Sequence, residues 1–270
     1  MGRLHFLSLI DMSPTRSSFA DDTELKLTAL ASWIDDAATV VWFTGAGIST
    51  ESGLPDYRGP DGAWTRRDLG LPPPRPAKAL SEIKPNAAHL AIVEFERMGK
   101  CAFLISQNVD NLHLESGYPL DKLAELHGNK ARLRCRVCER TFAIRDLVAM
   151  PRRKKTRKRR DVSYECPGCG GSLARSIINF GDEMPERDLQ ASYEWAERAN
   201  LLVVVGSSCF VTPAADIPRT TKRKGGRLVV MNMGETGVDD LCDLRFSSER
   251  VGELLPALLL RVKSVIGKGK

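Results

Sequence analysis

The chain lacks any apolar run near the roughly 20 residues that a membrane-spanning helix needs, so no transmembrane segment is expected. Its start, Met1 to Ile10, holds only a short apolar patch, which Asp11 ends, and no small-residue cleavage site is evident. Gly2 is not followed by a hydroxyl residue at position 6, where Phe6 stands, and this argues against N-myristoylation. No Ser-His-Asp or Cys-His sequence motif marks a protein nucleophile. The dinucleotide fingerprint GxGxxG is incomplete: Gly45 and Gly47 are present, but Thr50 replaces the third glycine. Thr65 stands where a ribose-binding acid would follow about 20 residues on, so a hydride-transferring dehydrogenase fits poorly. A net positive charge is also absent from most of the chain. The net charge is +6, yet residues 152–160 (RRKKTRKRR) carry eight basic side chains, and the other 261 residues sum to −2.

What is present suffices for a full α/β core and a small second module: 270 residues, 42% apolar and 27% charged. Asp21–Ala37 has helical periodicity, with Asp22 or Thr23 as its N-cap. The organising stretch is residues 39–64. Thr39–Phe43 reads as a buried strand feeding Gly45-Ala46-Gly47, with Ile48-Ser49-Thr50 starting a helix. A strand, a glycine turn and a helix N-terminus together offer backbone N–H groups to a pyrophosphate. The loop that follows, Gly53-Leu54-Pro55-Asp56-Tyr57-Arg58-Gly59, sets beside them a guanidinium for phosphate oxygens and an aromatic to cover a ring. Pro85–Met98 reads as a helix and Ala102–Ser106 as a second buried strand, running into Gln107-Asn108-Val109-Asp110-Asn111-Leu112-His113. Polar residues at the C-terminal end of a parallel strand lie where open α/β sheets bind ligands. Ser176–Asp182 is strand-like, Asp188–Asn200 helical, Leu201–Val205 a strand, Arg227–Met231 the last clear strand, and Val251–Val265 a closing helix.

Seven cysteines occur, four of them in two CxxC pairs: Cys135 with Cys138, and Cys166 with Cys169, 27 residues apart. Each turn aims two thiolates at one point, and two turns complete a tetrahedral four-thiolate zinc site. With no open ligand position, the zinc is expected to be structural, folding a module too small to be held by burial alone. Cys101, Cys209 and Cys242 read as packing residues. The basic tract lies between the two knuckles. It reads either as a solvated insertion or as a nuclear-localisation signal or phosphate-binding arm, directed to the backbone of DNA or RNA because it has no interleaved aromatics.

TGAGIS followed by GLPDYRG, then SQNVDNLH, ELHG, the two cysteine pairs, a segment ending in FGD and GSSCFVTP resembles, in that order, the motif series of the sirtuins, NAD-dependent protein deacylases. The resemblance covers roughly residues 23–262. It implies an α/β fold, a Rossmann-like doubly wound parallel sheet with an inserted small zinc-binding module. The domains expected are a flexible leader over 1–22, a discontinuous NAD-binding domain over 23–131 and 176–265, and a zinc module over 132–175.

The resemblance also carries roles residue by residue. His127 is implied as the base for a ribose hydroxyl, with Asn108 and Asp110 holding the nicotinamide carboxamide. NAD contacts are implied at Ala46, Gly47, Thr50, Asp56, Tyr57, Arg58 and Trp64, at Gln107, and at Gly206, Ser207 and Ser208. Asn232, Gly234 and Val251 complete that set. The partner implied is an acyl-lysine protein or peptide, histones included, paired as an added strand along the segment ending at Asp182. Gly59-Pro60-x-Gly62-x-Trp64 and SGYPLDKLAELHGN lean towards the nuclear class IV branch, hence a nuclear location, with cytoplasmic as the alternative. Mono-ADP-ribosyl transfer in the same pocket, or chromatin binding through the zinc module and basic tract, are the competing functions.

Overall fold

A computed structural model describes residues 19–147, 164–179 and 181–268. The leader before Phe19, the basic tract 152–160 and Phe180 lie outside them. Nine strands are present among the described residues: β1 (Val40–Thr44), β2 (Phe103–Ser106), β3 (Leu123–Glu125), β4 (Arg132–Cys135), β5 (Thr141–Ala143), β6 (Leu173–Arg175), β7 (Leu201–Val205), β8 (Arg227–Met231) and β9 (Leu244–Phe246). Six form a parallel sheet in the order β3-β2-β1-β7-β8-β9, and β5-β4-β6 form a separate antiparallel sheet. The helices are α1 (Asp21–Asp36), α2 (Ala63–Asp68), α3 (Ala87–Arg97), α4 (Leu112–Glu115), α5 (Ile144–Leu147), α6 (Glu186–Arg198), α7 (Asp216–Arg223) and α8 (Val251–Lys268).

The central strands β1, β7 and β8 are buried on both faces, which is why they read as almost unbroken apolar runs. Alternate residues serve the two sides: Val40, Trp42, Leu201 and Val203 pack with α1, α3 and α8, while Val41, Phe43, Leu202 and Val204 pack with α6 and α7. Trp42 stacks on Phe95 of α3 at 4.8 Å, and its Nε1 donates to the Lys100 carbonyl at 3.1 Å, so the largest core ring buries no unpaired donor. On the other face Phe103 stacks on Trp195 at 5.3 Å. Full burial of each such side chain stabilises the fold by about 1.5–3 kcal/mol.

The strand order reverses between β1 and β7. Chain direction runs outward from β1 through β2 and β3, then resumes at β7 and runs the other way. Such a switch point is where open α/β sheets form a ligand crevice at the strands' C-terminal ends.

Several expectations need correction. α1 begins at Asp21, inside the expected leader, and its N-cap is Ala20; Thr23 instead donates its hydroxyl to Glu249. The residues after Gly45 form a 3-10 helix, Ala46–Ser52, ended by Gly53 at φ +99°. Arg227–Met231 is not the last strand, since β9 follows it. The described part of 176–182 joins no sheet; its one backbone tie to the opposite loop is Ile178 N–H donating to the His127 carbonyl at 3.0 Å.

Candidate active site

The cavity above the switch point has a volume of about 1120 Å³, lined by the loops after β1, β2, β3, β7 and β8. That exceeds the roughly 300–1,000 Å³ of small-molecule pockets, and leaves room for a dinucleotide with an extended side chain beside it. Its floor is two glycine turns pressed together. Gly47 N–H donates to the Gly206 carbonyl at 2.8 Å, and Gly206 adopts φ +62°. A Cβ on Gly206 would lie 2.3 Å from the Ile48 nitrogen, so neither turn tolerates a side chain at the contact. Ala46 opens the 3-10 helix, and its N–H therefore has no acceptor within that helix.

The loop after β2 is held from three directions. Gln107 Nε2 donates to Ser207 Oγ at 2.7 Å, tying the β2 loop to the β7 loop across the crevice. Asn108 donates its backbone N–H to Ser106 Oγ (3.1 Å) and its side-chain nitrogen to the Gly45 carbonyl and Ser49 Oγ, both at 3.2 Å. With the nitrogen so engaged, the carboxamide oxygen is the group Asn108 has left for a ligand. Ser49 in turn donates to Asp110 Oδ2 at 2.6 Å, and Asp110 Oδ1 accepts the Leu112 N–H at 2.9 Å.

His127 follows β3. Its Nδ1–H donates to the Gln107 carbonyl at 2.9 Å, which leaves Nε2 as the unprotonated nitrogen. Burial lowers its pKa below the ordinary value, against the opposing pull of that backbone bond, so the ring is neutral at pH 7. Overhead, Arg58 lies 4.5 Å from the Trp64 ring and 5.1 Å from the Phe210 ring, bridging the loop that ends at Trp64 to the β7 loop. At the β8 end, Arg245 donates to the carbonyls of Asn232 and Gly234 and pairs with Asp239 at 2.8 Å, fixing the turn that carries Asn232.

Comparison with known proteins decides the family. Residues 75–213 match the Sir2 family. An NAD-dependent protein deacylase of Thermococcus kodakarensis is 36% identical over 86% of this chain and 94% of its own length. The NAD-dependent protein deacetylase SRT1 of Oryza sativa is 37% identical over 81% of this chain, which spans 44% of that longer protein. A solved complex described as Sir2 with a p53 peptide and NAD⁺ superposes with a TM-score of 0.65 at 30% identity, covering 89% of this chain and 99% of that one. The chain belongs to the Sir2 family.

In this sirtuin most of the residues singled out in the sequence converge. Ala46, Gly47, Asp56, Tyr57, Arg58, Trp64, Gln107, Asn108 and His127 line the cavity, as do Gly206, Ser207, Ser208, Asn232 and Gly234. Three do not. Asp110 is 8% exposed and sits behind the wall, reaching Asn108 through Ser49. Thr50 donates its hydroxyl to the Gly47 carbonyl at 3.0 Å on the exposed side of the turn. Val251 opens α8 and packs into the core. Two residues escaped the sequence reading: Ser49, hidden within a motif prized for its glycines, and Phe210, an exposed aromatic in a segment of small hydroxyl residues.

The zinc ligands fit their group. The four Sγ atoms of Cys135, Cys138, Cys166 and Cys169 lie within 4.8 Å of one another, with closest pairs at 3.5 and 3.6 Å. A tetrahedron with Zn–S bonds of ~2.3 Å has edges of about 3.8 Å. The Val137 N–H also points to Cys135 Sγ at 3.4 Å, as in a thiolate knuckle. Among the described residues of the module, Leu147 and Leu173 are buried around the sulfurs with Leu133, Phe142 and Tyr164 packed against them, a small core to hold a fold. The module is oriented on α6 by Arg134, paired with Asp188 at 2.7 Å, and by the Glu139 carboxylate, which accepts the Glu186 and Arg187 N–H groups at the helix start.

Proposed function

We propose that the chain removes acyl groups from protein lysine at the expense of NAD, releasing nicotinamide and leaving the acyl group on ADP-ribose. The observation that carries this reading is the Nε2 of His127, held unprotonated by the Gln107 carbonyl and set in the same cavity as the glycine turns and Asn108. NAD supplies an electrophilic ribose carbon once nicotinamide departs. The chain's part is to bind and orient. The Ala46 N–H and the Ser207–Ser208 turn face the phosphates, Arg58 and Tyr57 cover them, and Asn232 and Gly234 take the distal ribose. Asn108, braced by Ser49 and Asp110, receives the carboxamide. His127 then takes a proton from a ribose hydroxyl, a step general-base catalysis accelerates by about 10²–10⁴. The four-thiolate zinc keeps no open position and supports the fold alone.

The finer assignment, to the nuclear class IV branch, rests on Gly59-Pro60-x-Gly62-x-Trp64 and on the SGYPLDKLAELHGN stretch. The basic tract 152–160 is assigned as an import signal that also meets nucleic-acid or nucleosomal phosphates, with histones among the substrates. Fusing 152–160 to a reporter tests it: exclusion from the nucleus refutes the location.

The activity is tested by nicotinamide release from NAD with and without an acyl-lysine peptide. Peptide-dependent release supports deacylation. Release that ignores the peptide favours ADP-ribosyl transfer in the same pocket.

A further inference from the structure

Three loops must keep their mutual positions for the proposed reaction: Gln107–Asn111 behind the carboxamide, His127–Ala131 with the base, and Ser176–Asn179 along the wall assigned to the peptide. They meet at one residue, through its backbone N–H and its side chain. Asn129 is fully buried, and every one of its polar groups is engaged. Its backbone N–H donates to Ser176 Oγ at 3.0 Å. Its side-chain nitrogen donates to Asn111 Oδ1 at 2.9 Å and to Glu125 Oε1 at 2.6 Å, and its side-chain oxygen accepts the Ala131 N–H at 2.8 Å. Even its carbonyl is used, by the Arg132 N–H at 3.3 Å.

The surrounding backbone repeats the stitching. Lys130 N–H donates to the Val109 carbonyl (2.9 Å), and Ile178 N–H to the His127 carbonyl (3.0 Å). Gly128, at φ +77°, lets Ser176 approach so closely that a Cβ would lie 1.8 Å from the Ser176 carbonyl oxygen. Asn111 holds a left-handed φ of +69° one residue after Asp110, a conformation its bond to Asn129 helps fix. Ser176 is itself 1% exposed, so it touches no substrate, and its hydroxyl has a positioning role only.

We infer that Asn129 is a positioning residue that couples occupancy of the Ile177–Asn179 wall to the Asn108 loop and to His127, so that nicotinamide is released in step with acyl transfer. The inference rests on the deacylase reading of the cavity. A peptide that orders the Ser176–Asn179 wall fixes Ser176 Oγ, hence Asn129, hence both other loops. Without the junction the two half-reactions share a cavity but lose their timing, and water takes the ADP-ribosyl group, giving free ADP-ribose and a proton beside nicotinamide while the lysine stays acylated.

The test uses zinc-loaded full-length protein and counts lysine freed per nicotinamide released, with peptide KM and kcat alongside. Wild type should give a ratio near one at saturating peptide. Asn129→Ala should lower the ratio and raise peptide KM, each by about 3- to 10-fold, the scale of one or two lost hydrogen bonds. Because Asn129→Ala also strands the Glu125 carboxyl, Ser176→Ala provides the gentler cut, with zinc content kept and a ratio lowered by about twofold or more. If Ser176→Ala leaves both ratio and peptide KM at wild-type values, the coupling is absent, whatever happens to Asn129→Ala. A uniform fall in kcat at constant ratio and KM in both variants would make Asn129 merely structural and also overturn the inference. If wild type itself shows no peptide-dependent nicotinamide release, the deacylase reading fails first, and that failure is visible without any variant.

Discussion

His127 Nδ1 sits 2.9 Å from the carbonyl oxygen of Gln107, and this one contact sets the chemistry of the ring. It fixes the tautomer, and burial keeps the imidazole neutral by lowering its pKa. The proposed base is therefore already in its working form at neutral pH. The acid limb of kcat for deacylation should fall below the ordinary histidine value of about 6.5, with a plateau above it. His127→Ala should lower kcat by about 10²–10⁴ with zinc content unchanged. A limb above pH 7 would contradict the assignment.

The glycine contact below the cavity predicts a severe substitution. Gly206→Ala adds a Cβ 2.3 Å from the Ile48 nitrogen at a residue with φ +62°. Backbone strain and the clash together should cost about 2 kcal/mol or more. Chemical denaturation should show the loss, and NAD affinity should fall with it.

Zinc should matter to the fold but not to the chemistry. Cobalt loaded in its place should show the absorption of a tetrahedral thiolate site and leave kcat close to that of the zinc form. Stripping the metal should unfold the 135–169 module and lower the melting temperature.

How the module is seated gives a fourth test. Arg134 and Asp188 are only 11% and 18% exposed, so removing one partner leaves a largely desolvated charge. Asp188→Leu or Arg134→Met alone should each cost about 3 kcal/mol, and the double variant should recover much of that. A double-mutant cycle in denaturant measures the coupling directly.

Glu125 makes stability depend on pH. Burial, the dominant influence, raises its pKa from 4.5 to about 7, against the Asn129 hydrogen bond and Arg132. An acid with a raised native pKa contributes stability that is full below the unfolded value and lost as pH rises through the native one. Wild type should therefore lose stability between pH 4.5 and 7 by up to about 3 kcal/mol from this group. Glu125→Gln keeps an acceptor for Asn129 and should flatten that slope, gaining on wild type at pH 8. Parallel pH profiles for the two proteins would show that the carboxyl titrates normally.

What the sequence disclosed follows what each feature depends on. β7 and β8 were readable to the residue, because a strand buried on both faces is written as an uninterrupted apolar run. β9 was not, since three residues with Arg245 at the centre carry no such signal. The Cys pairs were legible from spacing, for the geometry is local to each turn. A motif does not say which of its residues line a cavity: Asp110 is nearly buried and meets Asn108 by way of Ser49, a placement only the fold reveals. Thr50 and Val251 likewise lie outside the cavity lining: one faces out of its turn, the other into the core. Phe210 against Arg58 joins segments some 150 residues apart, a pairing only the fold creates.

The most direct test of the whole account is the fate of the acyl group. Wild-type protein, NAD and an acyl-lysine peptide should be incubated together and the products resolved by mass spectrometry. Nicotinamide, free lysine peptide and acylated ADP-ribose are expected in equal amounts. Free carboxylate with NAD left intact would contradict the NAD-dependent reading.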